Sequence, residues 1–338
     1  MSTLTDTAPS STGTEVELTY REAINAALED EMASDDAVVL LGEDVGADGG
    51  VFKTNIGLVE KYGLERVRAT PICENGFLGV ALGMSLVGMR PVVEIMFADF
   101  LPSAGDALVN QLPKYRYMSG GQTAVPVTVR SISGATGRFG TQHSATGESW
   151  FMHLPGLRVV TASSPGSAYS LLRAAIDDPN PVLFYEHKGL YGRKGPVTRG
   201  EIAELGKAAV LRTGSDVTIV ATLLMVERAL AAAEQLASDG IDAEVIDLRW
   251  LRPLDLPTVR VSAEKTGRVV VVEEQVHAAG WGATIISELT TGGIRWASAP
   301  RRLSLPDDLP IPYTPPLEDE VLPSVDGIVA SARGSVGR

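Results

Sequence analysis

The sequence predicts an α/β protein built from two doubly wound domains. Short apolar runs alternate with helical patterns along most of the 338 residues. The alternation stops once, in a stretch rich in Gly, Pro and charge at 191–201, and then resumes. The chain is also long enough for two full cores. The divisions read as a disordered tail over 1–16, a first domain over 17–192, a linker over 193–205 and a second domain over 206–333.

Thr19-Tyr20-Arg21-Glu22 is a capping box opening an amphipathic helix that runs to about residue 33. Residues 37–41 form a short buried strand that ends in Gly42-Glu43-Asp44, and a loop with three glycines covers 45–54. Pro71 disfavours helix just before it, so the next helix starts near Glu74. Gly76, Gly79 and Gly83 share one face of that helix. Each costs about 1 kcal/mol relative to alanine, so another backbone is expected to pack closely there. A strand over 91–97 leads to a helix over 99–117 that tolerates or kinks at Pro102 and Pro113. A strand over 125–131, a glycine-rich loop over 133–148, a strand over 157–162, a helix over 167–176 and a strand over 181–186 complete the first domain. The second has strands at 216–221, 243–247 and 268–273 and helices at 226–238 and 281–291, and 306–323 is proline-rich and extended. Short apolar strands alternating with helices imply mostly parallel sheets covered on both faces, with ligands beyond the strands' carboxyl ends.

Net charge is −13 and no Lys/Arg cluster forms a basic stripe, which argues against nucleic acid or an acidic membrane as partner. The apolar run over 77–93 is interrupted by Arg90-Pro91 and reads as helix, turn and strand rather than a membrane span. Residues 2–14 are rich in Ser and Thr and lack Arg, unlike a secretory or transit leader. Cys73 is the single cysteine, so no disulfide forms within the chain, and a reducing, cytoplasmic setting is expected with Cys73 as a small packing residue.

Among candidate chemical groups, Glu74 stands at the mouth of an otherwise apolar helix, a place where desolvation raises a carboxyl pKa and favours proton exchange. A first-turn carboxylate also suits the helix dipole, so its position alone admits a purely structural role. The loop Gly134-Ala135-Thr136-Gly137-Arg138-Phe139-Gly140-Thr141-Gln142-His143-Ser144 is too long and glycine-rich for a plain connector, and a histidine in such a loop, here His143, can deliver protons. A solvated loop histidine is the simpler alternative. Phe100 follows a strand end, where an aromatic face can stack on a flat heterocycle. His153, His187 and His277 read as structural or solvated, and no pair of histidines has metal-site spacing. There is no phosphate-binding Gly-x-x-x-x-Gly-Lys loop, no dinucleotide fingerprint, and no Gly-Asp-Gly with a following Asn pair to hold a magnesium diphosphate.

Several segments in order carry a family resemblance: Leu41-Gly42-Glu43-Asp44-Val45, Pro71-Ile72-Cys73-Glu74, Arg90-Pro91-Val92-Val93-Glu94, Lys114-Tyr115-Arg116-Tyr117-Met118-Ser119-Gly120-Gly121, Gln142-His143-Ser144 and Pro155-Gly156-Leu157-Arg158-Val159-Val160. Over about 18–332 the chain resembles the beta subunit of heterotetrameric, thiamine-diphosphate-dependent 2-oxo acid dehydrogenases of the pyruvate, acetoin and branched-chain types. The resemblance implies an N-terminal thiamine-diphosphate pyrimidine-binding domain and a C-terminal transketolase-type domain. It implies that Glu74 hydrogen-bonds N1′ of the aminopyrimidine and favours the tautomer that deprotonates the thiazolium carbon. Phe100 matches the aromatic residue packing on that ring. His143 matches a proton donor near the reacting centre that also serves acyl transfer to lipoamide.

The resemblance further implies a potassium ion on backbone around Val127, Ala175, Ile176, Asp178 and Asn180, and docking on the acyltransferase core and its lipoyl domains near Asp308. An alpha subunit would supply the missing diphosphate motif and the magnesium, giving an alpha-two beta-two assembly. The family often has Ser at the position of Cys73 and Gln at that of Ala145, so the packing below Glu74 and the polar surroundings of His143 are expected to differ here. Glu186-His187-Lys188-Gly189-Leu190-Tyr191 is more similar to acetoin and pyruvate types than to the branched-chain type. A non-catalytic scaffold joining the alpha chain to the acyltransferase is the rival from another class.

Overall fold

The computed structural model describes residues 13–337. The expected tail lies mostly outside them, but Glu15 and Val16, assigned to it from sequence, begin strand β1 (Glu15–Thr19). Thr19 then caps the Tyr20–Ser34 helix through the expected reciprocal box with Glu22. The following strands are β2 (Val38–Gly42), β3 (Val67–Ala69), β4 (Arg90–Ile95), β5 (Thr128–Ser133), β6 (Arg158–Thr161) and β7 (Val182–His187). Then come β8 (Lys194–Thr198), β9 (Ala209–Arg212), β10 (Val217–Ala221), β11 (Ala243–Asp247), β12 (Trp250–Arg252), β13 (Val269–Val276) and β14 (Arg301–Leu305).

The first domain holds a seven-stranded sheet in the order β12-β6-β7-β5-β4-β2-β3, parallel except for β12. Successive residues of a strand face opposite sides. Val92, Val182 and Phe184 join one core with Ala23, Ile24 and Leu28 of the first helix and Ala168, Leu171 and Leu172 of the Pro165–Asp177 helix. Val93, Leu183 and Tyr185 join a second core with Phe77, Leu78 and Ala81 of the Glu74–Leu86 helix. A sheet buried on both faces explains why its strands read as unbroken apolar runs.

The second domain is a five-stranded sheet in the order β14-β13-β10-β11-β9, parallel except for β9. Two features tie the domains together. The segment read as a linker contains β8, which pairs antiparallel with β1. Strand β12, although it follows β11 in the chain, adds to the edge of the first domain's sheet.

Three helical expectations are corrected. The 99–117 helix is a 3-10 turn at Ala98–Ala104 containing Pro102, a π segment at Asp106–Gln111, and an α-helix at Leu112–Met118 with Pro113 in its first turn, where its missing N–H costs nothing. The 306–323 stretch includes a helix, Pro315–Val321, that starts on prolines for the same reason. Among the described residues the glycine face of the Glu74–Leu86 helix receives no backbone at Gly79 or Gly83, where a Cβ would meet nothing within 4 Å.

Candidate functional site

The carboxyl ends of β2, β3 and β4 and the loop after β5 place the candidate residues, Glu74 opening the helix that follows β3. Cys73 is the helix N-cap and makes no side-chain capping bond, so the expected start at Glu74 is met. Cys73 is exposed, not the packing residue expected from sequence. Glu74 is half-buried and makes no hydrogen bond among the described residues. Next to it is Glu43, just past the end of β2, which is buried with Oε1 unpaired. Burial, reinforced by the negative charges of Glu74 and Asp44, raises the Glu43 carboxyl above its ordinary range. In the sequence Glu43 stands out as a strand ending and as part of the 41–45 segment, but not as a site residue. Its place at a parallel strand's carboxyl end was the available signal.

Phe100 and His143 are brought together. The His143 imidazole meets Phe97 edge-on at 4.8 Å and Phe100 at 5.4 Å between ring centroids. Both residues line a cleft of about 500 Å³ with Asp99, Thr146, Trp150 and Phe151. Trp150 is 70% exposed at its mouth, an apolar surface this chain leaves uncovered. A larger cleft of about 980 Å³ lies between the domains around Met152, Arg252 and Trp281 and includes none of Glu74, Phe100 or His143.

The His143 loop is fastened mainly by residues far away in sequence. The Ala135 amide donates to Glu274 at 2.6 Å and the Thr136 amide to Glu318 at 3.0 Å. Arg138 pairs with Glu318 and, at 2.9 Å, with Asp319, while the Thr141 hydroxyl reaches the Ile311 carbonyl. Closer in sequence, the Ala145 amide donates to Asp99 at 3.2 Å. His187 is fully buried, in keeping with its structural reading. Its Nδ1 accepts from the Gly189 amide, which leaves the proton on Nε2, 2.9 Å from Glu274. Burial opposes the Glu274 charge, but His187 and the Ala135 amide outweigh it and hold the carboxyl below its usual range. Gly134, at φ +84°, lies so close to His187 that a Cβ would fall 1.9 Å from Nε2.

Beneath the site is a buried ionic network the sequence reading did not find. Arg130 bonds Glu186 at 2.7 Å and Glu94 Oε2 at 2.9 Å; Asn55 donates to that same Glu94 oxygen, Glu94 Oε1 is left unpaired among the described residues, and Tyr191 donates to the second oxygen of Glu186. It ties β4, β5 and β7 together below the loop. Charged residues inside apolar strands were the signal.

Val127, Ala175, Ile176, Asp178 and Asn180 lie in one neighbourhood. The Ala175 carbonyl accepts from Thr128 and that of Ile176 from Arg90, and the Asn180 amide donates to Asp178. Each carbonyl retains a second lone pair. Asp308 is exposed between β14 and the Pro315–Val321 helix.

The chain matches the transketolase pyrimidine binding domain over 16–194 and the transketolase C-terminal domain over 206–328, which defines a two-domain protein of transketolase type. It is 44% identical over 323 residues to the mitochondrial pyruvate dehydrogenase E1 component subunit beta-2 of Oryza sativa subsp. japonica, covering 94% of this chain and 86% of the relative. It is 42% identical over 327 residues to the acetoin:2,6-dichlorophenolindophenol oxidoreductase subunit beta of Cupriavidus necator, covering 94% and 96%. A solved structure described as a split gene transketolase, an inactive beta4 tetramer, superposes with a TM-score of 0.78 at 25% identity, covering 95% of this chain and 98% of that one. The chain belongs to the family of beta subunits of pyruvate dehydrogenase E1 and acetoin oxidoreductase type.

Proposed function

We propose that this chain is the beta subunit of a thiamine-diphosphate-dependent 2-oxo acid dehydrogenase component, of pyruvate or acetoin type, that passes an acyl group to a lipoyl group on an acyltransferase. The carrying observation is Glu74, a half-buried carboxyl without a hydrogen-bond partner among the described residues, at the same sheet end as the edge-on Phe100–His143 pair.

These residues fit an aminopyrimidine: one free carboxyl to meet a ring nitrogen and one aromatic face to pack on the ring. When bound, thiamine diphosphate supplies the carbon nucleophile; the protein supplies geometry and protonation. Glu74 would hold the pyrimidine nitrogen, beside Glu43, whose carboxyl is raised above its ordinary range by burial and by the charges of Glu74 and Asp44. Phe100 orients the ring. His143, held edge-on by Phe97 and Phe100, moves a proton at its imidazole nitrogen.

An alpha subunit completes the site, since this chain lacks a diphosphate motif, and it brings magnesium into an alpha-two beta-two assembly. Support comes from the uncovered apolar side of the Glu74–Leu86 helix, where Val80 is 55% exposed, and from Val87 just beyond it at 78%. Asp308 marks the acyltransferase docking face, and potassium sits at the Val127–Asn180 neighbourhood. Among the described residues no helix is long and apolar enough to cross a membrane. The one unpaired cysteine fits a cytoplasmic enzyme.

The test is Glu74→Gln in the purified alpha–beta protein, assayed with pyruvate, acetoin and branched-chain 2-oxo acids. Turnover of the preferred substrate falls at least ~100-fold, about 2.7 kcal/mol of barrier, with assembly retained. Undiminished turnover would refute the reading in favour of a scaffold.

A further inference from the structure

We propose that Lys188 is a positioning residue for His143, clamping the loop by donating from its ammonium to the His143 main-chain carbonyl. The inference rests on the role given to His143 above. Lys188 opens the 3-10 turn Lys188–Leu190 directly after β7, so its Cα is fixed by the sheet rather than by the loop it holds. Its Nζ reaches the His143 carbonyl oxygen. The same ammonium lies 5.2 Å from the centroid of Phe97 and 5.1 Å from that of Phe139. Phe97 is also the ring packed against the His143 imidazole. One aromatic ring therefore contacts both the clamp and the side chain it serves.

The stem is equally confined. A Cβ on Gly137 would lie 3.2 Å from Lys188 Cδ and 2.3 Å from the Phe139 ring, so the loop crosses the lysine stem only because residue 137 has no side chain. From the other side, Asp99 accepts the Ala145 amide. The two anchors bracket His143 at its own carbonyl and at the amide two residues later.

The charged groups facing the ammonium are Asp99 after β4, Glu274 at the end of β13 and Glu318 in the Pro315–Val321 helix. Lys188 forms no ion pair with any of them within 4.0 Å among the described residues. Burial outweighs their attraction and brings the ammonium from 10.5 down to about 8. The fold thus opposes the charge it keeps. If space-filling were the purpose, methionine would serve as well or better.

The experiment uses the assembled alpha–beta protein, wild type and Lys188→Met. Hydrogen exchange of peptides spanning 139–146, the thermal midpoint, and the pH-rate profile of lipoyl-domain acylation from pH 6.5 to 9.5 are measured. In Lys188→Met, exchange over 139–146 accelerates at least ~10-fold, the melting temperature holds or rises, and the fall in wild-type acylation above about pH 8 disappears. In the wild type, exchange over 139–146, corrected for intrinsic rates, increases between pH 7 and 9, a reading that needs no variant. Unchanged exchange in Lys188→Met, or an alkaline limb that persists in it, overturns the proposal. Faster exchange with undiminished acylation leaves the clamp standing and overturns the role of His143 instead.

Discussion

The two sheets are built alike and used differently. In the first, the carboxyl ends of the parallel strands open toward a cleft and leave polar side chains unengaged: among the described residues Glu74 has no side-chain hydrogen bond, Glu43 has a buried free oxygen, and the His143 ring packs edge-on against Phe97 and Phe100. In the second, the corresponding ends are consumed by the neighbouring domain. Asp247 at the end of β11 accepts from Ser163, and the Arg249 carbonyl two residues on accepts from the Thr161 amide at 2.7 Å. Glu274 near the end of β13 accepts the Ala135 amide, and its own carbonyl accepts from Thr146. A parallel sheet exposes a ligand site at its strand ends by default. Here one copy keeps that site and the other spends it on holding the first copy's loop.

Removing Glu274 breaks this comparison most severely. Glu274→Ala strips the partner from the buried His187 and from the Ala135 amide, groups that cannot reach water. An expected loss of about 3 kcal/mol follows from unsatisfied buried donors and a broken buried pair. Glu74→Gln should change stability by no more than about 0.5 kcal/mol, because none of the described residues bonds that carboxyl. Urea titration of both variants beside their turnover separates the two uses of a strand end. If Glu74→Gln proves the less stable of the two, the distinction fails. The Glu274 effect also has a pH signature. Its folded pKa is depressed, so its stabilisation is present above the unfolded value of 4.5 and is lost as pH falls below it. Glu274→Gln removes that part of the acid sensitivity.

The same contrast shows what was legible in the sequence. Glu74 could be found because Pro71 fixes where its helix begins, and His143 because eleven consecutive loop residues with three glycines have no structural excuse. Those signals are local. Three of the second sheet's five strands were also legible, since apolar runs declare themselves; the partly exposed edge strands β9 and β14 were not, and neither was the sheet's purpose. Arg138 meets Glu318 across 180 residues, and nothing in either neighbourhood announces the other. Strand β12 is three residues long and joins a sheet formed mostly by earlier residues, so no periodicity marks it. The Gly76, Gly79 and Gly83 spacing suggested a close backbone neighbour, and among the described residues none approaches Gly79 or Gly83. Glu43 was passed over because one acidic residue after a strand is unremarked until the fold puts Glu74 beside it.

Glu148 sharpens the comparison at the boundary itself. It is buried against Tyr185 of the first sheet and bonded by Gln275 of the second. Burial, assisted by Glu274 and Glu273, pushes its carboxyl up to about 8. The sign follows: the folded protein keeps a proton that the unfolded chain releases above 4.5. Stability from this group is therefore full below pH 4.5 and declines toward pH 8, by up to about 1.4 kcal/mol per pH unit. Glu148→Gln should flatten that decline and raise the melting temperature at pH 8 more than at pH 5. Equal shifts at both values would show that Glu148 is ionised in the folded protein.

The smallest expected effect tests whether the first sheet is also braced from its opposite end. Val127 precedes β5, while Ala175, Ile176, Asp178 and Asn180 surround the end of the Pro165–Asp177 helix that leads to β7. These are the amino ends of the strands whose carboxyl ends carry the loop and Lys188. A helix's last carbonyls favour positive charge, and Arg90 and Arg158 already supply some of it through Ile176 and Asp178. A potassium ion on the remaining lone pairs would add only about 1 kcal/mol at several times its Kd. Replacing choline chloride with potassium chloride at equal ionic strength should raise the melting temperature by a degree or two, roughly what that energy gives in a chain of this size. Asp178→Asn, which weakens the Arg158 pair and removes charge from the neighbourhood, should abolish the selective increment. An equal response to both salts would mean that the arginines alone brace this end. The division between a sheet end that binds and a sheet end that holds would then apply within the first domain too, with no ion required.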